Sequence, residues 1–319
     1  MMTIKHSTSV FCYSVISLLL SAQVDAKPTE AVVNALSNSV LRVQVNLASG
    51  KQGFGSAVVV AKGEAVTSCH VVYDATDVTV EYNNEKHKVT AIKPDWRHDL
   101  CLLEIANLAA PSVKMGETEK LSYQDSVFTV GYPDGVKNPV NTYGMVEGLF
   151  PLDNSVVMRA SSAFKLGASG GGAFDDAGQL IGVITVKSKG ANAHFYYMPV
   201  EWVQALMQKQ AVQLGGQFEK PFWAQANKPY FMQVVTPHMN ADWHALMMLA
   251  KQWVTNEPAA AEAWFYLAVA EMAEKDLINA EMHLKQVLQL NKQHHQAAVY
   301  LAQIADKLHV NGQKVAYAN

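Results

Sequence analysis

Short runs of apolar, mostly β-branched residues cover the first two thirds of the chain and are separated by Gly, Asn and Asp. Their regular spacing favours antiparallel sandwich or barrel strands over alternating strand-helix units. Turn residues such as Gly50 and Asn83-Asn84 fall between the runs and support this interpretation. The predicted strands are VLRVQVNL (40–47), GSAVVVA (55–61), DVTVEY (77–82), HKVTAI (87–92), DLCLLEI (99–105), DSVFTV (125–130), SVVMRA (155–160) and QLIGVITV (179–186).

The pattern changes towards the C-terminus. Residues 199–208, PVEWVQALMQ, predict a helix that closes the β region, with Pro199 near its start. An aromatic, proline-containing stretch follows, and its apolar residues fit neither the two-residue period of a strand nor the 3.6-residue period of a helix. From residue 241 onward, strong helix formers recur at helical spacing. We therefore predict a β domain over residues 27–215, a linker over 216–240 that packs on its neighbours, and an all-α domain over 241–319.

A period of 34 residues runs through the helical region. At that shift Leu267 aligns with Leu301 and Val254 with Leu288. The period resembles that of tetratricopeptide repeats, although Glu271 stands where that motif has a tyrosine. A generic bundle of helical hairpins is the alternative. Because about three repeats are usually needed for independent stability, the resemblance implies that this array docks on the β domain, on a second copy or on a protein partner.

The N-terminus has the layout of a secretory signal. Lys5 precedes an apolar run over residues 10–20, and Val24-Asp25-Ala26 resembles a small-residue cleavage site. The run is too short for a comfortable membrane anchor, which needs about 20 apolar residues. We predict that residues 1–26 are removed, that the protein is periplasmic or secreted, and that no integral membrane span remains.

Composition narrows the function classes. The 319 residues are 50% hydrophobic and 17% charged, which excludes a disordered chain and favours packed domains. With 25 Lys and Arg against 28 Asp and Glu, no basic excess exists for a nucleic-acid backbone. Three cysteines are too few for a four-thiolate zinc site, and the histidines have no recurring ligand partners at metal spacing, so we expect no metal and no cofactor. The histidines without ligand partners at metal spacing are predicted to lie on the surface: His98, His294, His295 and His309.

The most informative local feature is a serine within a glycine run, Gly167-Ala168-Ser169-Gly170-Gly171-Gly172. Glycines let backbones approach closely and can expose two amide N–H groups to one oxygen. Because a serine hydroxyl is a poor nucleophile at neutral pH, acyl transfer also needs a histidine base and a carboxylate that fixes its tautomer. His70 ends an apolar stretch and Asp99 begins another, with Asp95 and Asp175 as competing carboxylates. The alternatives are a turn serine and a structural histidine.

The order His70, Asp99, Ser169 resembles that of the trypsin-like serine peptidases of the Deg/HtrA type. The resemblance covers about residues 35–205 and also rests on GFGSAVVV, DLCLLEI, VGYPDG and GQLIGVITV. It implies an all-β fold of two orthogonal six-stranded barrels, with the site in the cleft between them. His70 is then the general base, Asp99 orients it and Ser169 attacks the scissile carbonyl of a protein or peptide. The amides of Gly167 and Ser169 would form the oxyanion hole.

Three features depart from the family. Ala168 stands where digestive trypsins carry an aspartate and Deg-type proteases commonly an asparagine, so we expect an oxyanion loop that becomes ordered on binding substrate or a partner. Gly172 replaces the family's usual proline. No PDZ-like domain is expected after the peptidase region, and the helical repeats are its candidate replacement in regulation.

The resemblance also places the primary specificity pocket. Ala163 occupies the position of the aspartate that selects Arg or Lys in trypsins, and Ile184, Thr185 and Val186 should form the second wall, followed by Lys187. Without an acidic base, this pocket predicts cleavage after small or medium apolar residues.

Cys69 and Cys101 lie on neighbouring strands of the family's first barrel, so a disulfide is plausible in an exported protein. Buried free thiols are the alternative. The leading functional hypothesis is an exported serine endopeptidase. Its rivals are a latent or silent scaffold that binds protein partners through residues 241–319, and an envelope quality-control factor that binds unfolded chains and cleaves them slowly.

Overall fold

The computed structural model of the chain describes residues 28–134, 136–188, 193–215 and 218–316. The predicted signal sequence, residues 1–26, lies outside them. Two closed six-stranded antiparallel barrels are followed by helices, which confirms the predicted fold class. In the part of the chain described, no helix is both long and apolar enough to cross a membrane.

The first barrel has the strand order β1-β2-β3-β6-β5-β4. It follows a short helix, α1 (Glu30–Ser37), whose N-terminal cap is Thr29. Its interior is filled by the valine, leucine and isoleucine side chains of the predicted runs. The strands are β1 (Val40–Leu47), β2 (Gln52–Ala61), β3 (Glu64–Ser68), β4 (Ala75–Tyr82), β5 (Glu85–Asp95) and β6 (Leu100–Ile105), with the one-turn helix α2 (Cys69–Val72) between β3 and β4.

The second barrel has the order β10-β11-β12-β9-β8-β7. Its last strand leads through Pro199 directly into the predicted closing helix. The elements are β7 (Ser126–Gly131), β8 (Val140–Leu152), β9 (Ser155–Ala160), β10 (Gly172–Phe174), β11 (Leu180–Lys187), β12 (Phe195–Pro199) and α3 (Val200–Met207).

Helices make up most of the rest of the described chain. Two short helices lie within the predicted linker, and four longer ones follow. They are α4 (Tyr230–Gln233), α5 (Val235–Met239), α6 (Trp243–Asn256), α7 (Ala261–Ala273), α8 (Leu277–Leu290) and α9 (His295–Ala316).

The 34-residue period is visible in the helix caps. Asp242 caps α6 by accepting the Ala245 N–H, and Asp276, 34 residues later, caps α8 by accepting the Asn279 N–H. The residue before each cap has a left-handed φ, 54° at Ala241 and 67° at Lys275. The buried positions of α6 and α8 follow the same spacing: Leu246 and Ala280, Ala250 and Leu284, Trp253 and Val287.

The helical region packs on the second barrel. Phe231 stacks on Phe150 with ring centroids 4.3 Å apart. Arg159 of β9 is buried, lies 3.8 Å from the carboxylate of Glu262 and donates to the Tyr266 hydroxyl at 3.3 Å. Burial opposes the charge of Glu262, but Arg159, His294 and His194 together outweigh burial and lower the pKa of this carboxyl. The array therefore docks on the β domain, one of its expected surfaces.

The surface prediction was wrong for His294, which is 1% exposed. Its Nδ1 accepts the Ala297 N–H at 3.2 Å at the start of α9, and its ring packs on Phe265. Its ring also stacks on Tyr123, and its Nε2 lies 3.3 Å from the Glu262 carboxylate, so capping, ring packing and this ion pair together account for its burial. His98 is half-buried between Asp95 and Asp153, whereas His295 is exposed. The side chain of His309 lies outside the described residues.

Candidate active site

Strand pairing brings His70 and Asp99 together. β3 and β6 pair with Ser68 opposite Leu100, so the residues that follow β3 lie beside those that precede β6. His70 lies in α2, just after β3, and Asp99 occupies the turn before β6 with a left-handed φ of 59°. This conformation is tolerated by aspartate better than by most residues.

The Asp99 carboxylate is 1% exposed and holds His70 through both of its oxygens. Oδ2 lies 2.7 Å from the His70 Nδ1, and Oδ1 accepts the His70 backbone N–H at 2.8 Å. An ionised carboxylate can only accept hydrogen bonds, so the ring proton belongs on Nδ1 and Nε2 is left as an acceptor. A general base requires this tautomer.

A third donor reaches Asp99 from the predicted linker. The Trp223 indole Nε1–H donates to Asp99 Oδ2 at 3.1 Å, and its ring meets His70 edge-on, with centroids 6.0 Å apart. Sequence reasoning missed this residue. The cluster of aromatic residues in a stretch without clear periodicity was the available signal, because such residues rarely remain unpacked.

A disulfide joins Cys69 to Cys101, with their Cα atoms 4.9 Å apart. Both residues are buried, and the Cys69 N–H donates to the Asp99 backbone carbonyl at 3.0 Å. The bridge therefore ties the helix that carries His70 to the strand that follows Asp99.

The competing carboxylates have other partners. Asp95 accepts from His98 and Lys209, and these contacts outweigh burial and lower its pKa to about 2. Asp175 accepts the backbone and side-chain N–H groups of Gln179. Neither carboxylate contacts His70.

Ser169 lies in the loop before β10, at the junction of the barrels. Its carbonyl accepts the Ser56 N–H of the first barrel at 2.8 Å, and the next amide, Gly170, donates to the Ile184 carbonyl of the second at 2.7 Å. The Ser169 hydroxyl donates to the Thr185 carbonyl at 3.4 Å, and within the described residues no hydrogen bond joins it to His70.

The backbone before Ser169 forms a turn that aims an amide outward. The Ala168 N–H donates to the Lys165 carbonyl at 3.2 Å, and Gly167 has a φ of 88°, as in a type II turn. The Leu166 carbonyl accepts the Asp134 N–H at 2.7 Å. Because C=O and N–H point in opposite directions across a trans peptide, this bond turns the Gly167 N–H away from Asp134. The loop is thus held by backbone contacts that need no side chain at residue 168.

The residues predicted to line the specificity pocket lie next to a cluster formed by Phe164, Phe195 and Tyr197. Ala163 is exposed and is followed by buried Phe164, whose ring centroid lies 5.1 Å from that of Phe195 and 5.7 Å from that of Tyr197. Ile184 packs with Phe164 and Tyr197 in the core. Of the remaining predicted wall residues, Thr185 is buried and Val186 half-buried.

Beyond Thr185 the edge of β11 faces the cleft. The Ser188 N–H donates to His194 at 2.9 Å, on the β12 side. Because backbone groups alternate in direction along an antiparallel strand, the N–H and C=O of Lys187 point the other way. This edge can accept an added strand.

Comparison with known proteins agrees with the geometry. Residues 55–183 match the family described as "Trypsin-like peptidase domain". A "Probable periplasmic serine endoprotease DegP-like" of Pseudomonas putida is 29% identical over 159 residues, 47% of this chain and 33% of the relative. The relative of that name in Marinomonas is 32% identical over 139 residues, 42% of this chain and 29% of its own length. The chain thus spans about a third of these curated relatives.

Solved structures share the fold. The active form of the Rv3671c protease from M. tuberculosis superposes with a TM-score of 0.53 at 23% identity, covering 60% of this chain and 91% of that one. The HtrA-type protease AlgW with a tripeptide gives 0.51 at 24% identity, covering 57% of this chain and 63% of its own. The β region therefore has the trypsin-like double-barrel fold, and residues 55–183 within it are similar to trypsin-like peptidase domains.

Proposed function

We propose that the chain is an exported serine endopeptidase that hydrolyses peptide bonds in proteins through Ser169, His70 and Asp99. The observation that carries the proposal is the buried Asp99 carboxylate, which binds both the ring and the backbone of His70. Such an arrangement fixes the tautomer and orientation that nucleophilic catalysis by serine needs. An intact pair of this kind speaks against a silent scaffold.

The reaction follows from the positions of these groups. Rotation of the Ser169 hydroxyl from the Thr185 carbonyl to His70 Nε2 lets Nε2 take the proton as Oγ attacks the scissile carbonyl. The N–H groups of Gly167 and Ser169 hold the resulting oxyanion. Collapse expels the amine with the proton from His70, and water then hydrolyses the acyl-enzyme by the same steps.

An extended substrate would pair with the edge of β11, using the outward backbone groups of Lys187. The residue on the acyl side of the scissile bond then enters the pocket beside Ala163. No acidic side chain stands at that position, and the residue that follows it is the buried, apolar Phe164. These features support cleavage after small or medium apolar residues.

Export and partner binding complete the proposal. The signal-like residues 1–26, the disulfide and the periplasmic names of the relatives support a periplasmic or secreted protein. The structural period of 34 residues supports a tetratricopeptide-like array over residues 241–319, which offers a binding surface to protein partners.

Labelling with a fluorophosphonate tests the proposal, because this probe needs an activated serine and a formed oxyanion hole. We expect the wild type and the Ser49→Ala control, an exposed serine outside the site, to be labelled, and Ser169→Ala to remain unlabelled. Labelling of the wild type no stronger than that of Ser169→Ala would favour the silent scaffold. A peptide-library profile dominated by Arg or Lys would overturn the proposed specificity.

A further inference from the structure

A cavity of about 550 Å³ lies between β11 and the helices that follow the second barrel. One wall is the edge of β11 from Val186 to Ser188. The opposite wall comes from the segment of residues 218–240, outside the matched peptidase region. Most of its lining side chains are apolar: Val186, Tyr196, Trp223, Met232, Val235 and Met239.

The 218–240 segment is fixed to both barrels. The Phe222 N–H donates to the Arg97 carbonyl at 2.9 Å, and the ring of Phe218 meets that of Trp96 edge-on at 4.8 Å. On the other side, the Ser188 hydroxyl lies 3.8 Å from the Met239 sulfur. The cavity wall is therefore held in place on either side of the cleft.

The cavity adjoins the reacting groups. Trp223 lines it and contacts both Asp99 and His70. The β11 edge that lines it begins one residue after Thr185, whose carbonyl accepts the Ser169 hydroxyl. A peptide that pairs antiparallel with this edge has the residue next to the scissile bond beside Thr185. Its residues further towards the N-terminus then lie beside Lys187 and Ser188. The cavity thus lies on the acyl side of the scissile bond.

We propose that this cavity is a substrate subsite, built by the 218–240 segment, that takes a large apolar side chain two or four residues before the scissile bond. These two positions share one face of an extended peptide, because side chains alternate along a strand. The apolar side chains suit Leu, Met or Phe, and the like charges of Lys187 and Lys228, which also line the cavity, disfavour Lys or Arg. The inference rests on the proposed peptidase function.

Paired peptides test the subsite, each pair identical except for Leu or Gly at one of the two positions. In the wild type we expect kcat/KM for the leucine peptide to exceed that for the glycine peptide by about tenfold or more, as for a filled apolar pocket. Thr236→Trp, at an exposed position lining the cavity, should fill it and bring the ratio close to one. Thr255→Trp, exposed on α6 and outside the cavity, is the matched control and should keep the wild-type ratio.

The ratio is measured within each variant, so a general loss of activity does not enter it. If Thr236→Trp fails to fold, Met239→Ala replaces it and should shift the preference from Leu towards the larger Phe. A wild type that cleaves both peptides equally, or a ratio unchanged in the folded cavity variant, would overturn the subsite and leave the peptidase proposal standing. A preference for Asp or Glu would also overturn it. Absence of both cleavage and fluorophosphonate labelling would instead refute the proposed function.

Discussion

Replacing Trp223 by Phe tests whether the 218–240 segment supports the catalytic pair. The change removes the indole N–H that donates to Asp99 Oδ2 at 3.1 Å and keeps an aromatic ring beside His70. Asp99 is 1% exposed, so water has little access to replace the lost donor. The carboxylate would keep its two contacts with His70 but would be less firmly oriented.

The expected magnitude follows from the type of bond. A hydrogen bond to a charged group contributes about 1.5–3 kcal/mol, and we expect the free energy of unfolding to fall by about that amount. If roughly half of this is lost in the transition state through poorer orientation of His70, kcat falls by a factor of about 4 to 12. KM should change less, because the ring remains and the assay peptide carries glycine at the proposed subsite.

Steady-state kinetics and urea unfolding measure the two effects. Trp264→Phe is the matched control, because it also removes an indole N–H bond, here to the Pro258 carbonyl at 2.8 Å in the helical region. This control should retain the wild-type kcat. A Trp223→Phe enzyme with a kcat within twofold of wild type would refute a positioning role, even if its stability were reduced.

Two further changes probe the loop and the bridge. Gly167→Ala should lower the rate of fluorophosphonate labelling by about 100-fold or more, because a Cβ there would lie 2.6 Å from the Asp134 N and displace the turn. Gly215→Ala is the control, because Gly215 has a similar φ of 87° and nothing lies within 4 Å of its Cβ. Equal labelling rates for these two variants would contradict the assignment of the oxyanion hole. Replacing Cys69 and Cys101 together by Ala should lower the free energy of unfolding by about 3–4 kcal/mol, because the bridge joins residues 32 positions apart. Equal urea midpoints for this variant and the oxidised wild type would contradict a stabilising disulfide.

The strands formed by continuous apolar runs could be predicted, because each run is visible within a few neighbouring residues. β1 and β9 coincide with their predicted runs, and β6, β7 and β11 begin one residue after theirs. The strands that sequence reasoning missed lack such runs: β3, β8, β10 and β12. β8 contains Gly144, Gly148 and Pro151, and β10 is three residues long. Pairing with barrel neighbours, rather than local propensity, forms these strands.

Some parts of the site could likewise be predicted from the sequence, and others could not. The order of His70, Asp99 and Ser169 is readable from motifs, because each lies in a short segment with its own composition. The contribution of Asp134 to the turn at Gly167 is made by a backbone N–H, which any residue but proline supplies, so no sequence pattern marks it. Sequence reasoning could treat Ala168 only as a missing side chain.

The contacts of Trp223 were still harder to predict from the sequence. It follows both barrels in the chain, yet it donates to the carboxylate of the first barrel and lines a cavity beside a strand of the second. Three N–H groups converge on the buried Asp99 carboxylate, and together they fix its orientation. The orientation of Asp99 therefore depends on how the 218–240 segment packs on the barrels. Because α4 and α5 in that segment also contact α6, the helical array is physically continuous with the groups around His70. The Trp223–Asp99 hydrogen bond links this packing to the catalytic pair, so a displacement of the segment would disturb the orientation of Asp99 and, through it, that of His70.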